Sequence, residues 1–122
     1  MLVGRGTWNG VQILRPESVD LLTSRQRVGM FDQTFRHKID WGLGFIVNSA
    51  KYGEQTVPYG FGRHASPRAF GHGGMQSSVG FGDPEFGLAG AVIFNGAPGE
   101  ARHTKRIRLL MTALYEDLGL PE

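Results

Sequence analysis

A single histidine stands among three glycines in Phe70-Gly71-His72-Gly73-Gly74-Met75-Gln76-Ser77-Ser78. Glycine on both sides leaves the ring open to approach and lets the main chain come close to a ligand. Four roles are open to such a ring: general base, metal ligand, pocket wall or plain loop residue. The other histidines are His37, His64 and His103, and no two of the four fall at i, i+4 or His-x-His spacing. A metal would have to draw ligands from separate loops, so no metal site is expected. No Gly-x-Ser-x-Gly turn is present to expose a triad serine.

Whatever His72 does, strands must carry it. Phe70 to Gly73, Ser77 to Gly82 and Leu88 to Phe94 read as three consecutive strands. Asp83-Pro84-Glu85-Phe86-Gly87 is a turn of hairpin length between the last two. Upstream, Trp41-Gly42-Leu43-Gly44-Phe45-Ile46-Val47-Asn48 suggests a strand with glycine at a close approach, and residues 55–61 another, demoted to an edge or a bulge by Pro58. Residues 27–40 are charged and read as an irregular loop. A short helix is predicted at about 16–24, with Pro16 in its first turn and Glu17 and Asp20 toward the positive end of its dipole. Ile107, Leu110, Met111, Leu114 and Leu118 make one helical stripe over about 100–118, capped by Gly119 and stopped by Pro121. Arg102, Lys105, Arg106 and Arg108 are assigned to its solvated face. The expected fold is α+β, an antiparallel sheet spanning about 42–94 with a long C-terminal helix packed on it.

Composition narrows the function classes. The 122 residues amount to one domain or a piece of a larger one. Nineteen glycines imply many tight turns, and a net charge of +2 is too small an excess to point to nucleic acid. With no cysteine, disulfides and thiolate metal sites are excluded. The longest apolar run, Leu88 to Phe94, is far short of the ~20 residues of a membrane helix, and no signal peptide is visible. The expectation is a soluble, cytoplasmic chain without cofactor, nucleic-acid or membrane partner.

The order of these elements resembles the C-terminal part of the serine β-lactamase-like superfamily, which includes class C β-lactamases, D,D-peptidases and related carboxylesterases. The resemblance rests on Gly71-His72-Gly73-Gly74, then Asp83-Pro84-Glu85, Gly87-Leu88, Gly90, Val92 and Asn95, then the long helix. Gly-Thr-Trp-Asn-Gly-Val-Gln-Ile-Leu-Arg-Pro-Glu-Ser-Val at 6–19 and Trp-Gly-Leu-Gly-Phe at 41–45 extend it over nearly the whole chain. It implies that His72-Gly73-Gly74 is the third active-site motif, on an edge strand that binds substrate. It implies that the backbone N–H of Met75 is one oxyanion-hole donor for ester or amide hydrolysis through an acyl-enzyme. Histidine in place of the more usual lysine favours uncharged, ester-like acyl substrates over β-lactams.

The family's nucleophile motif Ser-x-x-Lys is missing: Ser18, Ser24, Ser49, Ser66, Ser77 and Ser78 are followed at i+3 by Leu21, Arg27, Tyr52, Ala69, Gly80 and Phe81. Tyr-x-Asn and Tyr-x-Ser are absent too. The chain is therefore expected to be a C-terminal fragment of a hydrolase, inactive alone, whose bare apolar sheet face favours a homodimer. The alternative is a non-catalytic fold fragment acting as an assembly or binding module.

Overall fold

The computed structural model describes residues 1–120. Strands β1 (Thr7–Trp8) and β2 (Val11–Gln12) form a short hairpin ahead of helix α1 (Pro16–Thr23). Pro16 occupies the first turn of α1, where its missing N–H has no partner to lose, and Glu17 faces the positive end of the dipole. A second small hairpin, β3 (Phe31–Asp32) and β4 (His37–Lys38), replaces the irregular loop expected over 27–40. Asp32 organises it: its carboxylate accepts from the Thr34 and Phe35 amides and pairs with Arg27.

The main sheet runs β5 (Asp40–Trp41), β6 (Ile46–Val47), β7 (Phe70–Gly74), β8 (Ser78–Asp83) and β9 (Leu88–Ile93), antiparallel throughout and in that spatial order. Two corrections to the sequence reading follow. The single strand expected over 41–48 is a hairpin, because Gly44 takes φ +86° and turns the chain back between β5 and β6. And β7 is the third of five strands rather than an edge.

Helix α2 (Glu100–Asp117) crosses one face of this sheet, and Gly119 at φ +66° ends it as expected. Pro121, its expected stop, lies outside the described residues. The buried stripe differs from the predicted one: His103, Ile107, Met111 and Tyr115 face the sheet at strict i, i+4 spacing. Leu110 and Leu118 are exposed, and Leu114 packs at the margin. The stripe turns because Tyr115 and His103 hide polar heads that find partners. Tyr115 donates to Asp83 at 2.7 Å.

Ile46, Phe61, Ala69, Val79 and Phe81 meet α2 from the other side, each large side chain contributing about 1.5–3 kcal/mol on burial. Residues 55–61 bring Val57, Tyr59 and Phe61 into this core without forming the predicted strand. Thr56 and Val57 donate to the Gly53 carbonyl instead, and Tyr59 takes φ +51°, so the segment coils beneath the helix.

Two buried aspartates stitch the layers together. Asp83 accepts from the Ser66 amide and hydroxyl, the Tyr115 hydroxyl and the Glu85 amide, joining β8, the loop before β7 and α2. Asp40, fully buried in β5, meets Arg25 and Lys51 at 2.8 Å each, and accepts from the Tyr52 hydroxyl and the Gly29 amide. Burial alone would push its carboxyl up. The Lys51, Gly29, Arg25 and Tyr52 hydrogen bonds outweigh it and hold the group at about 2.

Candidate active site

The register of β6 decides what β7 exposes. Val47 pairs with Phe70 and Ile46 with Gly71, and there the pairing stops as the chain turns back toward β5. His72, Gly73 and Gly74 therefore have only β8 beside them, paired with Gly80, Val79 and Ser78. A strand in mid-sheet thus becomes an edge for its last three residues. The edge that the sequence suggested exists, but only over half of β7.

Aromatic rings flank this open half. The His72 ring lies 5.7 Å from Trp41 and 6.5 Å from Tyr59, centroid to centroid. Its Nδ1 stands 2.6 Å from the Gly73 carbonyl. A carbonyl only accepts, so Nδ1 carries the hydrogen, and in the neutral ring Nε2 keeps a free lone pair. Tyr59 lies directly against Gly73, where a Cβ would sit 1.8 Å from its Cε1. Only glycine leaves room for that ring. The Tyr59 hydroxyl donates to Glu100 Oε2 at 3.2 Å, and burial together with the Glu100 charge pushes its pKa up. Phe35 packs edge-on to Tyr59 at 5.6 Å and continues into a cavity of about 550 Å³ between Thr34, Pro58 and Glu100.

Beyond Gly74 the chain makes the tight turn into β8, closed by Ser77 N–H donating to Gly74 C=O at 2.9 Å. Met75 and Gln76 both have positive φ, 39° and 57°, a conformation that costs an L-residue roughly 1–2 kcal/mol. The Met75 side chain is 90% exposed. Its backbone N–H donates to no acceptor among the described residues. A main-chain donor without a partner is suited to an anionic or polarised oxygen.

The hydroxyls nearest this turn are not set up as nucleophiles. Those of Ser77 and Ser78 donate back to the Gly74 carbonyl at 3.1 and 3.4 Å. Among the described residues no three His, Cys, Asp or Glu side chains gather to hold a metal ion, and no helix is long and apolar enough to cross a membrane.

His72, Gly73, Gly74 and Met75 thus fall together on one open edge and its turn. Trp41, Tyr59 and Arg106 were missed. Tyr59 gave one signal, its place between Pro58 and Gly60, where a turn presents a side chain inward. Arg106 belongs to the group assigned to solvent, yet it reaches the main chain of the turn, its Nη2 donating to Gln76 C=O at 2.7 Å.

A family model described as Beta-lactamase matches residues 3–114. Among solved structures, the chain is similar to a penicillin-binding protein homolog from Caulobacter crescentus, with 28% identity and a TM-score of 0.65. The match covers 89% of this chain and 28% of that one. A β-lactamase from Mycobacterium bovis shares the fold at 19% identity and a TM-score of 0.66, over 98% of this chain and 41% of that one. The chain spans less than half the length of either structure. No curated protein sequence matches it.

Proposed function

Since the chain belongs to the beta-lactamase family, we propose that it forms one wall of a serine acyl-transfer site, with Met75 N–H as an oxyanion donor. The observation that carries this reading is the uncommitted Met75 amide at the end of the half-open strand His72–Gly74. In the proposed reaction a serine hydroxyl, its proton taken by a neighbouring base, attacks the carbonyl carbon of an ester or amide. The carbonyl oxygen becomes an alkoxide held by Met75 N–H and by the serine's own amide. Collapse expels the alcohol or amine, and water releases the acid from the acyl-enzyme. The serine and base come from outside this sequence, which contains no Ser-x-x-Lys. One oxyanion donor is worth about 3–4 kcal/mol in the transition state.

His72 shapes the substrate preference. Its Nδ1–H is engaged by Gly73, so the ring offers an acceptor at Nε2 and flat apolar faces toward Trp41 and Tyr59. Without the permanent cation of a lysine at this place, the wall fits uncharged acyl groups, esters before β-lactams.

The test begins upstream in the coding DNA, where an in-frame Ser-x-x-Lys and Tyr-x-Asn or Tyr-x-Ser are expected; their absence would sink the hydrolase reading for this gene. A second reading, a non-catalytic assembly or binding module, is favoured by the missing motifs and by an exposed sheet face. Gly80, Ala89, Ala91 and Ile93 are exposed on β8 and β9, paired in a register that places them opposite the Val79 and Phe81 core face. A second copy is proposed to dock there, a homodimer detectable by sedimentation. Labelling of the purified chain by a fluorophosphonate, or turnover of a p-nitrophenyl ester, would defeat the module reading.

A further inference from the structure

The turn that carries Met75 is held from behind by helix α2. Arg106 Nη2 donates to Gln76 C=O at 2.7 Å and to Gly96 C=O at 3.0 Å. Its Nε donates to His103 Nδ1 at 3.1 Å, and its guanidinium lies 4.0 Å over the Phe94 ring. Two further tethers reach the same turn: Gly99 N–H donates to Gln76 Oε1, and Phe94 N–H to Ser77 C=O at 2.6 Å. Two successive residues at positive φ relax toward other conformations unless their surroundings hold them. The guanidinium supplies that hold because its planar fork reaches two carbonyls and the imidazole at once.

The imidazole is a conditional partner. Nδ1 accepts from Arg106, so the neutral ring carries its hydrogen on Nε2, which is buried without a hydrogen-bond partner. Protonation would place hydrogen on Nδ1 as well, turning the Arg106 contact from attraction to repulsion. His103 is fully buried, and burial holds its pKa below the usual range. The Arg106 charge acts in the same direction; the nearby Ser78 carbonyl and Glu100 oppose it. The charged and titratable groups facing the ring are Glu100 and Arg106 from its own helix and the Tyr59 hydroxyl from the loop before β7. From the strands it meets the Phe94 ring and the Ser78 main chain.

We propose that Arg106 is a positioning residue for the oxyanion turn, and that neutral His103 is the acceptor that keeps its guanidinium aimed at Gln76 and Gly96. This rests on the assignment of Met75 as an oxyanion donor for its catalytic meaning, but its test needs neither substrate nor serine.

Amide hydrogen exchange and 15N shifts of Met75, Gln76 and Ser77 are followed in the 122-residue chain. In the wild type, Ser77 exchange, corrected for the intrinsic pH dependence, should accelerate as acidification protonates His103, while Phe81 and Gly82 in β8 stay protected. Arg106→Ala should raise Ser77 exchange about tenfold at neutral pH and abolish its extra acid sensitivity, as expected for losing charged hydrogen bonds. Arg106→Lys, which keeps the charge but not the fork, should fall between and serves if the alanine variant does not fold. His103→Asn, with an amide oxygen near the place of Nδ1, should keep the turn ordered and remove the acid response. Unchanged Ser77 exchange in both Arg106 variants would overturn the proposal, as would exchange that rises equally in the turn and in β8. Either result leaves the hydrolase reading standing, because that reading is judged by the upstream motifs and by serine labelling.

Discussion

Phe70 and Gly71 have hydrogen-bonded strands on both flanks, whereas His72, Gly73 and Gly74, on the same strand, have one. The difference comes from the β5–β6 hairpin, which ends its pairing two residues into β7. In the paired half the main chain is committed to strands on both flanks. In the open half the main chain keeps unused capacity, and the rings of Trp41, His72 and Tyr59 gather beside it. A continuous strand can therefore be a paired interior strand in one half and an open edge in the other without any change in its backbone type.

Four substitutions and one change of condition probe that contrast. The largest effect belongs to Gly71→Val. A Cβ there would lie 2.2 Å from Gly80 O and 2.9 Å from the Phe61 ring, so overpacking should cost about 3 kcal/mol or more in urea unfolding. Next comes acid. Asp40 is held near 2 in the folded state against an ordinary value of 3.8, so its ionised form favours folding. About 2 kcal/mol of stability, complete above about pH 4, should disappear as pH falls through 2. Asp40→Asn should flatten that limb of a pH–stability profile, since β5 then loses its ion pairs at every pH. At the open half, Met75→Gly should stabilise the fold by about 1 kcal/mol, because glycine accepts positive φ and the methionine side chain buries nothing. The smallest effect is expected for His72→Ala, within about 0.5 kcal/mol of the wild type in thermal unfolding, since its ring is exposed. A loss above 2 kcal/mol there would mean that the open half is part of the core after all.

Helices and the three long strands were legible because their signals are local: Pro16 and Glu17 at the start of α1, Gly119 at the end of α2, and a turn-forming Asp83–Gly87 between β8 and β9. The failures share a physical cause. In residues 57–61 the alternation of Val57, Tyr59 and Phe61 reports burial correctly, but no strand lies alongside to pair with them, and local hydrogen bonds to Gly53 take over. On α2 the buried face includes His103 and Tyr115, which an apolar count passes over because it cannot see their polar contacts: the Tyr115 hydroxyl meets Asp83, 32 residues away, and His103 Nδ1 accepts from Arg106 on its own helix. Arg106 was hidden for the same reason: its acceptors are backbone carbonyls, invisible in residue identity. The His72–Met75 cluster was legible as a motif, while the aromatic wall beside it depends on where β6 stops.

The Asp83 carboxylate bears on how the chain acquires its shape during synthesis. Its partners Ser66 and Tyr115 lie 17 residues before it and 32 after it. At ~5–20 residues per second, the sheet strands leave the ribosome seconds before Tyr115 does. Until then the carboxylate has no phenol to receive, and sealing it inside would leave a charge short of a donor. The full set of donors to Asp83 is thus complete only once α2 has been made and packed on the sheet.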